Sequence, residues 1–186
     1  MTELLLVRHG ETAWNAERRW QGHADPPLNE RGRAQAEELA ERLACERVDA
    51  VYTSDLRRAR ETADVLAARL GLEPVEDSGL REVDVGEWSG LTYDEIAERW
   101  PGAERWQVGE APEAMAERVV AAARRIAAAH PGERVLVVSH GGPIRALFAA
   151  AAGLPYEEHR KANPAGAANC AVHGFGCENG KFRSLD

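Results

Sequence analysis

The sequence predicts an α/β fold of three layers, an α/β/α sandwich whose mostly parallel central sheet carries helices on both faces, built as a single domain over residues 1–186. Strand and helix signals alternate along the chain, which implies crossover connections and a largely parallel sheet. Two strand candidates, LLLV at Leu4–Val7 and RVLVVS at Arg134–Ser139, are apolar almost throughout, as strands buried on both faces must be. Helix stops recur at Gly71, Pro131-Gly132 and Gly153.

Each element has a local reason. After the first strand, ETAWNAERRWQGHADPP shows no clear period and reads as a loop over the sheet edge. Asn29 can cap a helix through about Cys45, with Ala36, Leu39, Ala40 and Leu43 on its buried stripe. A strand over Val48–Ser54 precedes a helix LRRARETADVLAARL, capped by Ser54 or Asp55 and ended by Gly71. A short strand at Pro74–Glu76 enters the loop DSGLREVDVGEWSG, and Thr92 with Glu95 forms a capping box for a helix to about Trp100. WPGAERWQVGEAP has no defensible period, whereas Glu113–His130 spaces Met115, Val119, Ala123, Ile126 and Ala127 as a helical core face. Pro143 suits the first turn of the next helix, and Glu178-Asn179-Gly180 marks a hairpin between NCAVHGF and KFRSL.

Composition narrows the function classes. The chain of 186 residues is 44% hydrophobic and 29% charged, an ordinary globular balance. A net charge of −8 opposes nonspecific nucleic-acid binding, which needs a basic face. No apolar run reaches the roughly 20 residues of a membrane span, and no secretory leader pattern opens the chain. A cytoplasmic protein without membrane or nucleic-acid partners is therefore expected. Cys45, Cys170 and Cys177 have neither disulfide-framework nor zinc-site spacing and read as free thiols.

In open α/β sheets ligands bind beyond the carboxyl ends of the strands. Arg8-His9, Ser54-Asp55 and Ser139-His140 all fall there. Arg57 and Arg58 lie in a first helical turn, where the helix dipole disfavours cations by about 0.3–1 kcal/mol each and a bound anion would reverse the sign. They could instead face water or pair with Asp55 and Glu61. Two imidazoles and two guanidiniums in one crevice need an anion to complete them, and phosphate matches guanidinium geometry. Neighbouring arginines argue against a metal, and no glycine-rich nucleotide loop of the common kinds occurs. Glu82 is the nearest candidate acid, and Gly141-Gly142 would allow close backbone approach at a helix start.

These motifs resemble the histidine phosphatase superfamily, which includes phosphoglycerate mutases and many small phosphatases. The resemblance runs in order through VRHGETAWN, QGHADPPLNERGRAQA, SDLRRARETA, LREVDVGEWSGLTYDEI and SHGGPIRAL. It implies a phosphomonoester hydrolase in which His9 accepts the phosphoryl group as a phosphohistidine and Glu82 protonates the leaving oxygen. Arg8, Asn15, Arg58, His140 and Gly141 would hold the transferring oxygens, and the match selects Arg58 over Arg57. No metal or cofactor is implied. The expected partner is a small phosphorylated substrate or inorganic phosphate, and the edge strand near the C-terminal hairpin leaves room for a homodimer. The short stretch between Glu82 and Thr92 resembles the phosphatase branch more than the mutases, which carry a longer insertion. A bisphosphoglycerate-dependent mutase and a non-catalytic phosphoprotein-binding module are the alternatives. Gly109-Glu110-Ala111-Pro112 replaces a Gly-Gly-Glu-Ser stretch of many relatives, so substrate contacts from that loop are not carried over. Trp20, Trp88, Trp100 and Trp106 could wall the site or pack loops onto the core.

Overall fold

The computed structural model describes residues 1–163 and 166–185. A six-stranded sheet runs through it in the order β3-β2-β4-β1-β5-β6, from β1 (Thr2–Arg8), β2 (Ala50–Thr53), β3 (Pro74–Glu76), β4 (Arg134–Ser139), β5 (Val172–Glu178) and β6 (Lys181–Ser184). The first four in spatial order are parallel, while β5 and β6 are antiparallel to their neighbours. The mostly parallel three-layer sandwich expected from the alternation is the observed one. At the hairpin tip, Asn179 and Gly180 both have positive φ, of 50° and 72°, as a two-residue turn matched to strand twist requires.

Two apolar cores flank the sheet. On one face α2 (Glu30–Leu43) and α3 (Arg57–Leu70) bury Leu39, Leu43, Ala63 and Leu66 against Val7, Val51, Leu136 and Val138. On the other, α5 (Pro112–Ala129) and α6 (Gly141–Ala152) bury Met115, Val119, Ile126, Ile144 and Leu147 against Leu4, Leu6, Val135 and Val137. Successive residues of β1 and β4 thus feed opposite cores, which is why both read as continuous apolar runs.

The local signals at helix ends hold with a few differences. Asn29 caps α2 through its side chain, Thr92 and Glu95 close the capping box of α4 (Tyr93–Arg99), and Gly71 ends α3 in the left-handed conformation. Neither Ser54 nor Asp55 caps α3. Its N-cap is Leu56, which has no side-chain bond to give. The Asp25 carboxylate, from the loop after β1, accepts from the Arg57 backbone N–H instead, and Asp55 turns away to pair with Arg81. The segment read as one loop after β1 contains a short helix, α1 (Ala13–Ala16), with its own Thr12–Asn15 capping box. A further helix, α7 (Tyr156–Ala162), precedes the return to β5.

Candidate active site

Strand register brings the two histidines together. In the parallel β1–β4 pair Arg8 lies opposite Ser139, and the His9 N–H donates to the Ser139 carbonyl at 3.0 Å. His9 and His140 therefore leave adjacent strands at the same level, their ring centroids 5.1 Å apart. His9 Nδ1 lies 2.7 Å from the Gly10 carbonyl oxygen. A carbonyl can only accept, so Nδ1 carries the hydrogen and Nε2 is left with its lone pair. Burial pushes the His9 imidazole well below its ordinary pKa, and the Arg58 and Arg8 charges push the same way. His9 is thus neutral at physiological pH.

The guanidiniums lie beside it, Arg58 fully buried and Arg8 partly so. Arg58 is wholly buried at the start of α3, its Nη1 and Nη2 donating to the Ala24 and Gly22 carbonyls at 2.7 and 2.9 Å. Desolvation lowers its pKa to about 10, with Glu82 and Asp25 acting in opposition, so it stays charged at neutral pH. Arg8 is anchored by an Nη1 bond of 2.6 Å to the Ala167 carbonyl. The Nε atoms of Arg8 and Arg58, and Nδ1 of His140, are buried without a partner among the described residues. An unpartnered buried polar atom is costly, and these three belong to residues that surround His9. Arg57 does what a surface cation does, pairing with Glu61 at 2.7 Å along the helix.

Glu82 reaches the same place from the loop after β3. Its Oε1 accepts from the Val83 N–H at 2.9 Å, and its Oε2 from the Gly142 N–H at 3.1 Å in the first turn of α6. A Cβ added to Gly142 would stand 2.2 Å from Glu82 Oε1, so glycine is what lets the carboxylate in. Asn15 commits its amide oxygen to the Thr12 backbone and hydroxyl, which leaves its NH₂ for the cavity. A cavity of about 1110 Å³ is lined by Arg8, His9, Asn15, Arg58, Glu82 and Gly141 at its inner end. His140 adjoins His9 but does not line this cavity; it is fully buried, with Nε2 2.9 Å from the Ser54 hydroxyl.

Several supporting groups carried no signal of their own in the sequence. The Asn169 amide donates to the His9 carbonyl at 2.8 Å, and Thr62 accepts from the Gly10 N–H at 3.0 Å while donating to the Arg58 carbonyl. Arg118 of α5 spans the Gly79, Arg81 and Glu82 carbonyls and pairs with Glu110 at 2.7 Å. The altered Gly109–Pro112 stretch therefore fastens the acid's loop: the Glu110 N–H donates to the Asp84 carbonyl, and the Glu110 carbonyl accepts from the Trp106 indole. Trp20, Trp88 and Trp106 do both things expected of them. Their rings meet edge to face with centroids 5.6 to 6.0 Å apart, and all three line the cavity, which Trp100 does not. Among the described residues no group of three or more His, Cys, Asp or Glu is placed to hold a metal.

The family model for the histidine phosphatase superfamily (branch 1) matches residues 4–186. The chain belongs to the histidine phosphatase superfamily. Among relatives in this superfamily, phosphoglycerate mutase-like protein 4 of Arabidopsis thaliana is 46% identical over 159 residues, covering 78% of this chain and 69% of its own. Phosphoserine phosphatase 1 of Hydrogenobacter thermophilus is 34% identical over 192 residues, with 98% of this chain and 85% of its own covered. A solved mycobacterial glucosyl-3-phosphoglycerate phosphatase in complex with VO3 superposes with a TM-score of 0.89 at 32% identity, covering 99% of this chain and 97% of that one. Family and relatives alike support phosphatase activity for this histidine phosphatase superfamily member.

Proposed function

We propose that the chain hydrolyses phosphomonoesters in two phosphoryl transfers through a phosphohistidine on His9. The observation that carries this reading is the Nδ1 bond of His9 to Gly10, which leaves a neutral Nε2 lone pair beside a cavity floored by the buried Arg58 and the partly buried Arg8. In the first transfer the N–P bond forms as the ester P–O bond breaks, and Glu82 delivers a proton to the departing oxygen. In the second, water attacks phosphorus, Glu82 takes the water's proton, and Nε2 recovers its lone pair. Arg8, Arg58, the Asn15 NH₂ and the Gly141 N–H at the α6 start stabilise charge on the equatorial oxygens, which is most of what phosphoryl transfer asks of a protein. His140, fully buried behind His9 with its Nε2 against Ser54, is assigned to the same clamp through its unpartnered Nδ1. The scheme calls on no metal or cofactor.

Hydrolysis rather than mutase transfer is favoured by the short span after Glu82. A single 3₁₀ turn, Gly86–Trp88, is all that intervenes before the Thr92 cap, so no long lid shuts out water. The mutase alternative keeps a foothold in the name of the Arabidopsis relative, and dependence of turnover on a bisphosphoglycerate primer would reveal it. We assign residues 1–186 to one domain in a cytoplasmic setting. One sheet spans both cores, the three cysteines are free thiols suited to a reducing compartment, and no described helix is long and apolar enough to cross a membrane. The test of function is release of inorganic phosphate from a phosphomonoester panel by wild type and by His9→Ala, with release expected from wild type only.

A further inference from the structure

The outer half of the cavity is not used by the phosphoryl group, and its chemistry is distinctive. Eight Arg and Lys side chains but only three carboxylates line the whole cavity, in a chain whose net charge is −8. The cations extend from Arg8 at the floor to exposed Arg18, Arg105 and Lys161 at the rim. None of these three rim cations is within ion-pair distance of an acidic group among the described residues; Glu157, which pairs directly with Arg160 at 2.7 Å, acts on Arg105 and Lys161 only at longer range.

Arg18 gives a second, independent pointer. Its φ is +57°, the left-handed conformation that glycine adopts at least cost, just after α1 ends. A long cationic side chain at such a position carries a backbone penalty, and observed strain of this kind concentrates at ligand-binding positions. Trp14, Trp20, Trp88, Trp106 and Tyr93 also line the cavity and give it broad apolar surface. At about 1110 Å³ it exceeds what a phosphate on a short aliphatic stem would fill.

We propose that the physiological substrate is a phosphomonoester whose leaving group carries a ring and a second anionic group, the phosphoryl at the floor, the ring against the tryptophans and the second anion at the Arg18, Arg105 and Lys161 rim. The inference rests on the phosphatase reading and adds to it the class of the leaving group. Exposed charge pairs are individually weak and screened by salt, so the effect should be cumulative and ionic-strength dependent.

The test compares kcat/KM for 4-carboxyphenyl phosphate and its neutral isostere 4-carbamoylphenyl phosphate, with phosphoglycolate as an acidic ester too short to span floor and rim. The inference expects the carboxylated ester to be favoured about tenfold at low ionic strength. That ratio should shrink toward one in 0.5 M salt and fall by about threefold in Arg18→Gln and in Lys161→Gln. Phosphoglycolate should show the higher KM. A ratio near one at low salt, a ratio unmoved by both substitutions, or a KM for phosphoglycolate as low as that of the carboxylated aryl ester overturns this inference while turnover itself upholds the phosphatase reading. Hydrolysis of none of the three esters overturns both.

Discussion

At the scale of single residues, the site depends on groups held where solvent cannot relax them. Arg58 satisfies the Gly22 and Ala24 carbonyls, so Arg58→Ala should remove a clamp and also leave two acceptors unpaired. At about 1–3 kcal/mol for a buried unsatisfied group, thermal unfolding should shift down by several degrees as phosphatase activity is lost. Asn169 acts one step back, through the His9 carbonyl. Asn169→Ala is expected to lower kcat about tenfold with KM little changed, since it loosens the nucleophile and not the cavity; steady-state kinetics would show the split. Chemistry-bearing residues with a local pattern, such as His9 and His140 each following an apolar strand, were legible in the sequence. Asn169 and Thr62 were not, because each acts through a tertiary contact with no periodic or spacing signature; Ser54 was placed at the crevice by its strand end, but its bond to His140 was not foreseen.

The buried imidazoles also set a pH dependence. His9 and His140 are both held well below the ordinary histidine value, by burial first and by the Arg58 charge next. Below about pH 6.5 the unfolded chain takes up protons that the native state refuses, so stability falls as pH drops from there toward the depressed native values. The expected slope is at most about 1.4 kcal/mol per pH unit for each imidazole, and urea unfolding at pH 5, 6 and 7 would measure it. For the same reason His9 stays unprotonated in mildly acidic solution.

At the scale of elements, helix and strand ends do the positioning. The β1–β4 register levels the two histidines, α3 delivers Arg58, and the first turn of α6 receives Glu82. Gly142→Ala is a sharp probe of that last contact. Alanine is the better helix former, so the fold should keep its thermal stability, while the new Cβ evicts the Glu82 carboxylate and kcat falls at least about tenfold. The long helices and their caps were readable from apolar period and capping residues. α1 and α7 were missed because four and seven residues are too short to show a period, and neither buries more than one side chain. The α3 cap was misassigned for a different reason: its acceptor, Asp25, lies 32 residues earlier in the chain.

At the scale of the whole molecule, a chain of net charge −8 keeps a positive cavity at the carboxyl edge of its sheet. The alternation of elements made that architecture legible, and the topology then required the strand-end residues to share one crevice. The outer cavity was legible only in part: Trp20, Trp88 and Trp106 were candidates for its wall, but Trp14, Arg105 and Lys161 join them only through loop packing and the placement of α7. The central claim is covalent transfer to His9, and the most direct measurement is brief exposure to a labelled phosphomonoester, rapid quench, and assay of protein-bound label. Wild type should carry acid-labile, base-stable label that is absent from His9→Ala; no label on wild type, or equal label on the His9→Ala protein, would contradict the account.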